Sequence, residues 1–76
     1  MRKPPIDGIK VDLRIQNPVK PEDKLVSHNE EERNSTVVYE KNVYQRLDGS
    51  RYCLEFIAVS PYFYSPEDAW YLTELG

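Results

Sequence analysis

The chain has 76 residues, with ten Lys and Arg against thirteen Asp and Glu, one histidine and one cysteine. That length supports one domain, which buries only about 60–65% of the surface its unfolded form exposes. A single cysteine excludes a disulfide scaffold, and no run approaches the roughly 18 apolar residues of a membrane-spanning helix.

Residues 1–51 hold all ten cations and nine acids, whereas residues 52–76 hold four acids (Glu55, Glu67, Asp68 and Glu74) and no Lys or Arg. An acidic, ring-rich last third is the reverse of the balance that phosphate contacts favour. The opening Met1-Arg2-Lys3-Pro4-Pro5 lacks the apolar run of a secretory signal, so a cytoplasmic location is expected.

In chain order, residues 1–8 carry two prolines and a glycine and read as a flexible lead-in. Residues 9–15 alternate, with Ile9, Val11, Leu13 and Ile15 on one face and Lys10, Asp12 and Arg14 on the other, which predicts a half-buried strand. Residues 16–35 are polar, punctuated by Asn17-Pro18 and Lys20-Pro21, and read as an insertion, either a loop or a short helix opened by Pro21. Within it, Glu30-Glu31-Glu32 reads as a solvated charge run.

The stretch from Thr36 to Val59 folds back around Leu47-Asp48-Gly49. A three-residue loop with Gly49 in the left-handed position sets Tyr44 against Tyr52, Val43 against Cys53, Lys41 against Glu55, Tyr39 against Ile57 and Val37 against Val59. Each pair is chemically favourable, by roughly 0.2–1 kcal/mol. A two-residue Asp48-Gly49 turn would set Arg46 against Arg51, so the longer loop is preferred. The strands are thus expected over 36–46 and 51–59, the second apolar on both faces and therefore central.

After Ser60, the Ser65-Pro66-Glu67-Asp68 sequence carries helix-start chemistry: a hydroxyl cap, proline at the first position and a carboxylate to reach back. It predicts a helix over 66–75, docked through Leu72, Leu75 and one or both of the Trp70 and Tyr71 rings. The expected fold is α+β, a small three-stranded, mainly antiparallel sheet with one C-terminal helix packed on it and residues 9–15 beside the hairpin's second arm, a simple meander being the alternative order.

Constellations for chemistry are sparse. One histidine and one cysteine give no four-ligand metal set, the three glycines are scattered, and Cys53 falls inside the central strand, where a buried thiol is inert. No cofactor, metal or catalytic residue is expected, and the chain reads as a non-enzymatic protein-interaction module: a regulatory, adaptor or inhibitor-like subunit. Tyr62, Tyr64, Glu67, Asp68, Trp70, Tyr71 and Glu74 are the expected contact residues, since Tyr and Trp dominate interface hot spots and the acids suit a basic partner protein. An exposed edge strand could alternatively pair with a second copy, as a homodimer, or with an extended peptide. The alternative, disfavoured by charge, is a nucleic-acid-binding hairpin that uses Tyr44, Arg46, Arg51 and Tyr52.

Overall fold

The hairpin forms in the register its side chains favour. In the computed structural model, which describes residues 3–60 and 62–76, Tyr39, Lys41, Val43 and Tyr44 oppose Ile57, Glu55, Cys53 and Tyr52. The loop Leu47-Asp48-Gly49 closes with the Arg46 amide donating to the Ser50 carbonyl at 2.8 Å, and Gly49 has φ of 90°. Only Val37 and Val59 fail to pair, because the ladder ends at Tyr39 and Ile57.

The rest of the architecture differs from the expectation. The chain forms β1 (Ile9–Val11), β2 (Lys24–Arg33), β3 (Thr36–Gln45), β4 (Arg51–Ile57) and β5 (Ala69–Glu74). All neighbours are antiparallel, in one sheet of order β1-β5-β4-β3-β2. It is an all-β fold of five strands, not α+β with three, and no helix occurs among the described residues.

The expected C-terminal helix is strand β5. The helix-start residues do make their reciprocal bonds, but around a single turn: the Asp68 amide donates to the Ser65 carbonyl at 3.0 Å and the Ser65 amide to Asp68 Oδ2 at 3.2 Å. Beyond it, Trp70, Tyr71 and Thr73 are side chains that fit a pleated surface. A helix would satisfy its own backbone but leave one edge of β4, the most apolar strand, without partners. As a strand, this segment supplies them, with Leu72 against Leu54, Trp70 against Phe56 and Ala69 against Ile57.

The polar insertion contains β2, the partner of β3 along its whole length. The hairpin turns at Asn34 and Ser35, with φ of 52° and 62°, the doubly left-handed geometry of a two-residue connection. Nine of its ten residues are exposed and Glu31 is half-buried. Backbone pairing and the polar His28–Asn42 contact, at 2.5 Å, hold it in place rather than an apolar face. Pro21 opens a turn instead of a helix: the Asp23 amide donates to the Lys20 carbonyl at 3.0 Å.

Residues 9–15 are a strand only as far as Val11. At Asp12 the chain turns, its carbonyl accepting from the amides of Ile15 and Gln16 and its carboxylate from the Arg14 amide and guanidinium. β5, not β1, lies beside the hairpin's second arm, and β1 closes the far edge. Of the expected lead-in, Met1 and Arg2 lie outside the described residues.

The register aligns residues into rows across the sheet. Ile9, Leu72, Leu54 and Asn42 form one row; Glu74, Tyr52 and Tyr44 another; and Val11, Trp70, Phe56 and Glu40 a third, all on one face. The chain between β1 and β2 meets this face at both ends, through Leu13 near Phe56 and Trp70 and through Asp23, whose carboxylate accepts from the Tyr52 hydroxyl. Tyr52 and Leu54 are buried beneath it, while the opposite face buries Cys53, Ile57 and Ala69.

Candidate functional site

The β4–β5 connection is tied at its ends and open in its middle. Asp68 Oδ1 accepts from the Val59 amide at 2.8 Å, so one carboxylate bridges the chain on both sides of the loop. Ser65 Oγ accepts from the Glu67 amide at 3.1 Å, and Ser60 Oγ from the Tyr62 amide at 3.1 Å. Between these ties Tyr62, Phe63 and Tyr64 are 81%, 60% and 84% exposed. The backbone bends at Tyr62 and Phe63, and none of the three consecutive rings is buried.

Beside the loop lies a cleft of about 640 Å³, whose apolar lining includes Val11, Leu13, Phe56, Pro66 and Trp70, with Arg14 on it. The Phe56 and Trp70 rings sit 5.4 Å apart at 46°, a tilted pair of the kind aromatic quadrupoles favour. Arg14 is held by Asp12 at 3.1 Å. Its hydrogen bonds keep the Asp12 carboxyl below its ordinary range.

The seven expected contact residues therefore divide. Tyr62, Tyr64 and Glu67 stand exposed on the loop, and Trp70 faces the cleft. Tyr71 lies on the opposite face, in register with Glu55 and Lys10. Asp68 serves the backbone, and Glu74 is held by Arg46 through two bonds of 2.7 Å, which lower the Glu74 carboxyl below its usual range.

The alternative set divides as well. The Tyr44 and Tyr52 rings stack on each other at 5.5 Å and 20°, and the Arg46 guanidinium lies 4.4 Å from the Tyr52 ring centre. Tyr52 is 0% exposed, which leaves it no face on which a base could stack. Burial, followed by the bond to Asp23, raises its phenol above the ordinary tyrosine value. Arg51 is exposed beside the turn.

Among the described residues no three His, Cys, Asp or Glu side chains are grouped to hold a metal ion. Burial pushes the Cys53 thiol up, and Glu55 adds to the effect. His28 is exposed but bonded to Asn42.

Sequence reasoning missed Phe63 as a surface residue and missed Leu13 and Phe56 as walls of the cleft. The run of three rings between prolines carried the first signal. Nothing local carried the second, because the cleft exists only once β1 lies beside β5. No family model, curated protein or solved structure matches the chain.

Proposed function

We propose that this protein is a non-enzymatic interaction module, a small regulatory, adaptor or inhibitor-like subunit that binds a partner protein through Tyr62, Phe63, Tyr64 and the adjoining Trp70 cleft. The exposed ring triplet is the observation that carries this reading. Apolar area left in water forgoes about 25 cal/mol per Å², and rings with polar tips recover that energy on burial against another protein. Asp68 and the two serines tie the loop through side-chain bonds to its backbone, and such ties lower the ordering cost of association. Asp68 and Glu74 are committed within the fold, leaving Glu67 as the exposed loop carboxylate available to a basic partner.

The triple variant Tyr62→Ser, Phe63→Ser, Tyr64→Ser tests the reading. Its stability should stay within about 0.5 kcal/mol of the parent, as for surface changes generally. Affinity for a partner recovered from source-cell lysate should fall by tenfold or more, as expected when hot-spot rings are removed. Unchanged recovery by a folded triple variant would reject the site.

A further inference from the structure

The two edges of the sheet are unlike. β1 offers only Ile9–Val11, and very short edges discourage added strands. β2 offers ten residues which, among the described residues, pair on one side alone, with β3. No proline lies within it, and its ladder to β3 is regular from Ser27 to Glu31. The ladder to β4 ends at Tyr39, and past the bond from the Ala58 amide to the Val38 carbonyl the hairpin continues without a partner from β4. The long dimension of the molecule is 40 Å against 23 and 21 Å.

Three glutamates, Glu30, Glu31 and Glu32, follow one another along this edge, with Arg33 after them. Glu30 stands directly opposite Glu40, and like charges opposed across strands are destabilising. Asn42 Nδ2 donates to Glu40 at 2.7 Å. Glu30 and Glu32 make no ion pair among the described residues, the nearby guanidinium of Arg33 lying 4.0 Å from Glu31. A residue added beyond Glu30 would extend the row of Glu30 and Glu40, so a cation there would stand beside Glu30 with Glu40 one strand spacing further on.

We propose that the outer edge of β2 accepts an additional strand from an extended basic segment of a partner protein, with Lys or Arg at alternate positions facing the Glu30–Glu40 row. Main-chain hydrogen bonds supply the attachment, and the alternate side chains supply the selection. A second copy centred on the same run would set acid against acid, whereas a basic strand relieves the repulsion already present. This surface lies three strand spacings, about 14 Å, from β5 and goes beyond the aromatic-loop reading.

The probe is an acetylated, amidated octapeptide alternating lysine and threonine, with a glutamate-for-lysine control, titrated into the full chain and followed by amide NMR and hydrogen exchange. The expected result is saturable shifts over residues 27–32, slowed exchange of the β2 amides that face away from β3, and no response to the control. The double variant Glu30→Gln, Glu32→Gln should bind about tenfold more weakly and with a flatter salt dependence. The Tyr62–Tyr64 triple variant should bind the peptide unchanged, which separates this result from the fate of the loop site. Shifts without slowed edge exchange, shifts confined to the Trp70 cleft, or protection of β2 by peptide-independent dimerisation in sedimentation would each overturn the proposal.

Discussion

Tyr52 joins parts of the chain that are distant in sequence. Its ring lies between Tyr44 and Arg46, and its hydroxyl reaches Asp23, 29 residues away. Arg46 continues the network to Glu74. The bond from Tyr52 holds the Asp23 carboxyl below its usual value, as the Arg46 bonds do for Glu74. A carboxylate with a lowered folded pKa stabilises fully above its unfolded value and progressively less as pH falls through the folded one. Tyr52 has the opposite sign: its raised phenol stabilises fully below the unfolded value of about 10 and less as pH rises beyond it. Urea midpoints should therefore decline below about pH 4, where unfolded carboxyls begin to protonate, and again in the alkaline arm above about pH 10, where an unfolded phenol ionises. Glu74→Gln should flatten the acid arm and Tyr52→Phe the alkaline one. Parallel pH profiles for parent and variants would show that the network does not carry the dependence.

The two hairpin turns show how local chemistry fixes geometry. Gly49 occupies its left-handed position without a side chain to strain, whereas Ser35 holds φ of 62° with one. Replacing Ser35 by glycine relieves a cost of about 1 kcal/mol for a left-handed non-glycine residue. It also creates the Asn-Gly pair that such turns favour. The thermal midpoint should rise by about 4–8 °C, the shift that 1 kcal/mol produces in a domain of this size. An unchanged or lowered midpoint would contradict the turn assignment. The β3–β4 register was legible because Tyr44 with Tyr52 and Lys41 with Glu55 are local in sequence and complementary in chemistry. β2 was not legible, since Leu25 and Val26 are its only aliphatic side chains and its strand state rests on pairing with β3. β5 was misread because Ser65 and Asp68 make the same bonds around one turn that they would make at a helix start. Among the expected contact residues, the loop rings were legible as a run. The split of Trp70 from Tyr71 required knowing that successive side chains lie on a strand and so face opposite ways.

The molecule is organised around β4, which has partners on both edges and contributes the buried Tyr52, Cys53 and Leu54. Protection falls away toward β1, with its three paired residues, and toward the overhanging end of the β2–β3 hairpin. Local opening follows buried contacts, so amides of β4 should exchange most slowly and those near Asn34 and Ser35 among the fastest. Hydrogen exchange measured by NMR checks the order; equal protection along β3 from Thr36 to Gln45 would show that the arm does not open separately. The radius of gyration of 12.8 Å exceeds the roughly 11 Å expected of a compact chain of this length, in keeping with that arm. Two surfaces result, an aromatic loop beside a cleft and an acidic edge.

Read alone, the residues specify one small domain, the hairpin and its glycine turn, and a poor supply of metal ligands, because each depends on composition or on near neighbours. The fate of the last ten residues and of the polar stretch before Thr36 was settled elsewhere. Backbone groups on both edges of β3 and β4 must find partners, and the segments available to supply them lie before and after the hairpin. That requirement is nonlocal, and it turned a sequence with helix-start chemistry into strand β5 and a charged insertion into strand β2.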